Sequence, residues 1–299
     1  MPPEFVLERL SSSGTSCSKL RPMNPQPPSA KNAIAFRALK SMKAIAASER
    51  TGAADTLLGM ALTFIAGAIN AGGFLAVGQY TSHMSGILSS MADNLALGSV
   101  AVVILGLAAF MPFVAGAALS AILINWGRRH RLGSRYALPL MLEAVLLGIF
   151  GVLGWLAHPS PNFVAGASPL LCFIMGLQNA TVTKISGARM RTTHVTGIVT
   201  DIGIELGKLV YWNRSRHLDE IVTADREKLR LLALLLGSFF IGGVTGAIGF
   251  SRLGFPVFLP FALLLILLAG PPLAEDMSFA RRIRRTIDSP GAIDRDVEH

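Results

Sequence analysis

The chain has 299 residues, of which 52% are hydrophobic and 15% charged, with a formal net charge of +9. Soluble domains carry nearer a quarter charged residues, so a water-soluble globule is excluded and the expected partner is the lipid bilayer. Two cysteines, Cys17 in a polar stretch and Cys172 in an apolar one, exclude a disulfide framework; no Cys/His spacing suits zinc, and no phosphate-cradling glycine loop suits an ATP-driven pump. No metal and no cofactor are expected.

Residues 1–50 form a first region. Ser and Pro dominate 1–32, which lacks the apolar core of a signal peptide and is expected to be disordered. Residues 33–50 interleave Ala, Ile, Phe and Met with Arg37, Lys40 and Lys43, the pattern of a basic helix lying on a membrane surface. Six apolar runs follow, at about 57–79, 100–125, 136–157, 166–186, 229–250 and 254–272. Each suits a helix crossing about 30 Å of hydrocarbon. The stretches 82–98 and 192–208 are shorter and more polar.

The first run and the short stretch after it carry Asn70-Ala71 and then Thr81-Ser82-His83-Met84-Ser85-Gly86-Ile87. About 110 residues later Asn179-Ala180 leads to Thr192-Thr193-His194-Val195-Thr196-Gly197-Ile198. An internal repeat dictates architecture more firmly than local propensity does. Two membrane units are expected, at 51–158 and 159–273, with a charged tail at 274–299.

Charge decides the topology. The first fifty residues are strongly basic, which places the amino terminus in the cytoplasm. If both short stretches return to the side they left, the cytoplasm receives Arg128, Arg129, Arg131 and Arg135, then Lys184 to Arg230, then Arg281, Arg282, Arg284 and Arg285. The fold class expected is therefore all-α: six transmembrane helices in two inverted three-span repeats, each with a short re-entrant helix, and both termini cytoplasmic. The net charge is explained by this sidedness, so no nucleic-acid partner is expected.

The repeated motif carries the candidate chemistry. Its hydroxyl residues can cap the first amides of a helix, and a helix start in a low-dielectric setting attracts anions. His83 and His194 belong to a side-chain class that changes charge near neutral pH. Gly86 and Gly197 would let backbone or ligand come close. Asn70, Gln178 and Asn179 supply hydrogen bonds, with Ser85 and Thr196 beside the histidines. The alternative is that these small and hydroxyl residues only pack helices. Glu143 in the third run and Asp93 in the first short stretch are coupling candidates, because acids at membrane depth face a cavity or partner. Glu143 also stands close enough to the start of its run to reach Arg135 or headgroup water. Asp201 and Glu205 lie near Lys208 and can pair with it.

His83-Met84-Ser85-Gly86, the later Glu143, Gln178-Asn179-Ala180 and Arg191-Thr192-Thr193-His194-Val195-Thr196-Gly197 together resemble the YoaK-like family of bacterial inner-membrane proteins, a domain of unknown function. The resemblance covers about 55–272. It implies a polytopic bacterial protein of about six spans, with no substrate assigned. Two positions depart from the family pattern: Asn70 where Asp is frequent, and Ile87 where Asn is. If that Asp handles an ion or a proton, the first half of this chain has lost the charge.

No catalytic residues are expected. Met84-Ser85-Gly86 lacks the Gly-x-Ser-Gly of membrane serine proteases, and Thr196 at the place matching Ser85 favours symmetry over a Ser85–His194 nucleophile pair. Gly106, Ala109, Gly116 and Ser120, and likewise Gly237, Gly242, Gly246 and Gly249, permit close helix crossing within the chain or a homodimer seam. The expected function is a transporter or channel-like permease for a small solute. The competing reading is a non-transporting scaffold or stress-linked regulator.

Overall fold

The computed structural model describes residues 52–130, 132–157, 161–186, 192–212 and 222–288. The readings made for residues 1–50 lie outside the described residues. Within them all regular structure is helical: α1 (Gly52–Val77), α2 (Met84–Ala96), α3 (Val100–Arg129), α4 (Ala137–Ala157), α5 (Pro161–Ile185), α6 (Val195–Val210), α7 (Arg226–Leu253), a 3-10 turn (Phe255–Val257) and α8 (Phe258–Asp288).

Five helical stretches are long and apolar enough to cross a membrane: Thr56–Val77, Val100–Arg129, Ala137–Ala157, Arg226–Leu253 and Phe255–Ala274. At 25 residues α5 is as long, yet its sequence includes Gln178, Asn179, Thr181, Thr183 and Lys184. Leu171, Cys172, Ile174, Met175, Leu177 and Gln178 are all fully buried, so this face of α5 packs against protein. On α3 the reverse holds, with Val100, Ile104, Leu105, Met111 and Ile122 exposed, as hydrocarbon-facing positions should be. α8 runs through Pro271 and Pro272 to Asp288, well past the expected end at 272.

Three helix pairs make the largest interfaces: α1 with α7, α3 with α5, and α4 with α8. The first two reproduce each other contact by contact. A side chain at Gly67 would strike the Phe239 carbonyl, and one at Gly176 would strike that of Phe113. Gly242 lies against the Phe64 carbonyl as Gly116 lies against that of Phe173. Gly72 meets the backbone of Gly246, and at the matching place Ser120 hydrogen-bonds Thr181 at 2.8 Å. Thr181 donates to the Leu177 carbonyl (2.7 Å), so Ser120 is the donor between them. Of the small residues noted in the sequence, Gly116, Ser120, Gly242 and Gly246 thus serve close crossing inside the chain, whereas a Cβ at Gly237 would meet nothing.

Residue numbers rise together along α1–α7 (64 with 242, 72 with 246) and α3–α5 (113 with 176, 120 with 181), so these pairs run parallel. They run oppositely along α4–α8. Gly154 faces Phe255, Gly151 faces Leu259 and Gly148 faces Ala262. At the far end Asp276 Oδ2 accepts from the Ser134 amide (2.8 Å) and hydroxyl (2.6 Å). α1 and α5 are antiparallel too, with Gly73 against Leu171 and Gln178 Nε2 donating to the Leu62 carbonyl at 3.4 Å. One end of the bundle is closed by aromatic rings: Phe150 packs on Phe255 and Phe258 edge-on at 5.6 and 4.9 Å, and Phe163 on Phe255 at 5.2 Å. Each such pair contributes about 0.5–1.5 kcal/mol beyond its buried area.

Candidate functional site

The ends of α1 and α5 are tied to the starts of the short helices. α1 stops at Gly78, whose φ of 73° suits glycine, and whose amide caps the Phe74 carbonyl at 2.7 Å. The chain then turns back along α1, with Tyr80 stacked on Phe74 at 4.4 Å. Ser82 Oγ donates to Asn70 Oδ1 at 2.8 Å. α2 therefore begins beside Asn70, roughly two turns short of the end of α1. In the second unit Asn179 Oδ1 plays the same part. It accepts from the hydroxyls of Thr192 (3.1 Å) and Thr193 (2.9 Å) and from the Thr193 amide (3.3 Å).

His83 and His194 occupy the N-cap positions of α2 and α6, and neither helix has a side-chain cap. The capping expected of the motif hydroxyls does not occur at these two starts. The Asn70 side chain takes the Ser82 hydroxyl and the Asn179 side chain those of Thr192 and Thr193. The role of the glycines also differs from the expectation that they admit a ligand. A Cβ at Gly86 would occupy the place of the His83 ring, and a Cβ at Gly197 that of the His194 ring. Each glycine leaves room for the imidazole of its own motif to fold over the first helical turn.

Both motifs open onto one cavity of about 910 Å³, within the usual range for ligand sites. Asn70, His83, Ser85, Asn179, His194 and Thr196 all line it. Three other residues of the expected site, Gly86, Gln178 and Gly197, are not in its lining. Gln178 is fully buried, with Nε2 on Leu62 and Oε1 without a partner among the described residues. Glu143 is also fully buried, both oxygens lacking a hydrogen-bond partner among the described residues and neither lining this cavity. Asp93 is exposed on α2, away from the lining. The two coupling candidates therefore lie apart from the motifs.

Several lining residues were not singled out in the sequence. Phe113 and Phe239 stand at matching positions, behind the carbonyls that meet Gly176 and Gly67. Thr183 and Lys184 reach the cavity from the last turns of α5. One signal could have found Lys184: it follows Asn179 by little more than a turn, on a helix whose Asn is already part of the site.

At the far end of α6, Glu205 is buried. It accepts from Lys208 Nζ at 3.0 Å and from the Asp225 amide at 2.9 Å, and Lys228 lies 3.7 Å from it. Those hydrogen bonds, the Asp225 amide first and then Lys208, hold its carboxyl below the ordinary carboxylate range. The expected Glu205–Lys208 pair is present. Asp201 pairs with Lys228 at 3.7 Å.

Apolar helices of spanning length around a cavity lined from two repeated motifs define a multi-pass helical membrane protein. A family model described as "Protein of unknown function (DUF1275)" matches residues 58–270, and the chain belongs to that family. This agrees with the YoaK-like resemblance of its motifs. No curated protein and no solved structure matches the chain.

Proposed function

We propose that the protein is a permease for a small solute, built from two inverted three-span units with a short re-entrant helix in each. Helix directions support the topology. If successive crossing helices alternate, α4 and α8 are antiparallel only when α6 returns to its own side. Given that, α1 and α7 are parallel only when α2 does the same. At 13 and 16 residues the short helices rise about 20 and 24 Å, less than the hydrocarbon thickness. Six spans remain, with α5 as the sixth. The basic clusters then fall on one face, which is the cytoplasmic side of a bacterial inner membrane, with both termini there. Inverted units with broken helices are the architecture of many secondary carriers, whose sites lie where the two repeats meet.

The observation that carries the transport reading is the shared cavity: His83 with Ser85, and His194 with Thr196, face the same space. Counted at about 1.5 Å per residue from the α1–α5 register, Asn70 and Asn179 stand roughly 10 Å apart along the helix axes. A solute passing from one motif to the other would travel that distance across the centre of the protein. Single cysteines at Ser85 and Thr196, in a Cys17→Ser, Cys172→Ser background, test this in intact vesicles. Both should label, a bulky reagent on one should block the other in a chain carrying both cysteines, and a His83→Ala, His194→Ala double variant should lose flux and its pH dependence. Protection of both cysteines from either side, with flux unchanged in the double variant, would favour the scaffold reading.

A further inference from the structure

Resting on the permease reading above, the lining of the cavity goes further and indicates the charge of the solute. We propose that the solute is a small anion and that Lys184 sets the preference.

Among the described residues the cavity lining contains no aspartate and no glutamate. Its charged group is Lys184, which is exposed to it and has no carboxylate partner among the described residues. Ser82, Thr183, Thr193 and the Asn179 amide already donate within the protein, which leaves a smaller set of donors open to the cavity. Asn70 uses its carbonyl oxygen on Ser82, leaving Nδ2 without a partner among the described residues. The hydroxyls of Ser85 and Thr196 likewise have no partner among the described residues, and α2 and α6, whose first residues line the same cavity, start without a side-chain cap. Acids elsewhere are already engaged or turned away. Asp201 and Glu205 pair with lysines at the other end of α6, Asp93 points off α2, and Glu143 is sealed in the core. The sequence of the second motif, from Asn179 to Thr200, holds three Lys and Arg residues and no acid. A cation in this cavity would meet a lysine with no countercharge among the described lining residues, whereas an anion finds that lysine and the open donors of Asn70, Ser85 and Thr196. Anions also suit two facing helix starts, whose dipoles place partial positive charge at the ligand. The volume admits inorganic oxyanions and small carboxylates alike.

The test uses the full chain reconstituted in vesicles of phosphatidylethanolamine and phosphatidylglycerol, with flux followed by stopped-flow light scattering. The probes are nitrate, phosphate, formate and lactate as anions, glycerol as a neutral solute and methylammonium as a cation. Wild-type vesicles should pass at least one anion well above glycerol and methylammonium, and the anions that pass distinguish an inorganic solute from a carboxylate. Lys184→Gln should lower anion flux roughly tenfold while leaving glycerol unaffected, and Lys184→Arg should restore it. Flux confined to glycerol or methylammonium would overturn the anion assignment while sparing the permease reading. Anion flux unchanged in Lys184→Gln would overturn the role of Lys184. Absence of flux for every probe would overturn both readings.

Discussion

The glycine three residues after each histidine shows how a single position shapes this site. Without a side chain at Gly86 and Gly197, the rings of His83 and His194 fold back over their own helices and stay at the rim of the cavity. Alanine at either position should displace the imidazole, at a cost of about 0.5–1.5 kcal/mol if the ring is held some 30° off a rotamer well. Alanine at Gly203, where a Cβ meets nothing, should cost nothing and improve helix propensity. Melting temperature in detergent, with the rate of diethyl pyrocarbonate modification of the histidines, separates the cases. Equal behaviour of all three variants would mean that the rings do not use that space. The motif letters alone left Gly86 and Gly197 open between packing and ligand approach, because which atoms fill the space above a glycine depends on the rotamer of a neighbour.

Two polar clasps act on whole elements. Asp276, beyond the expected end of α8, accepts two hydrogen bonds from Ser134 and ties the α3–α4 connection to α8. Asp276→Ala should lower stability by about 1.5–3 kcal/mol, the usual range for hydrogen bonds to a charged group, read as a fall in melting temperature in detergent. Glu205 fixes the end of α6 to the start of α7. Its carboxyl is held below its usual range by the Asp225 amide and Lys208, so ionised Glu205 stabilises the fold fully above the ordinary carboxylate pKa. That contribution fades as pH falls through the lower folded value. Glu205→Gln should therefore cost stability at neutral pH and lose less on acidification than the wild type. Parallel pH–stability curves for the two would remove this role. The Glu205–Lys208 pair was legible as a close sequence spacing. The Asp276 clasp was not, since nothing local in the sequence joins positions 134 and 276.

At the scale of the molecule, recurrence is the main finding: Gly67 against Phe239 repeats as Gly176 against Phe113, and Gly116 against Phe173 as Gly242 against Phe64. The proposed inversion makes a sidedness prediction. Cysteine in place of Ser99, at the tip of the α2–α3 hairpin, should label only from outside intact cells. Cysteine in place of Thr223, before α7, should label only after the inner face is exposed. Labelling of both from one face would make the units parallel and require different crossing counts.

Composition and hydropathy runs determined a helical membrane protein here, because a hydrocarbon solvent leaves few ways to satisfy a backbone. The doubled Asn-Ala and His-x-x-Gly motifs determined that one pattern of polar residues occurs twice along the chain. Only the tertiary structure decided which polar residues share a cavity. It turned Asn70 and Asn179 toward their loops, brought Lys184 into the lining, and sealed Glu143 and Gln178 into the core. Those outcomes depend on how antiparallel and parallel helices rotate about one another to bring glycines against carbonyls, and that rotation follows from contacts between residues far apart in the chain.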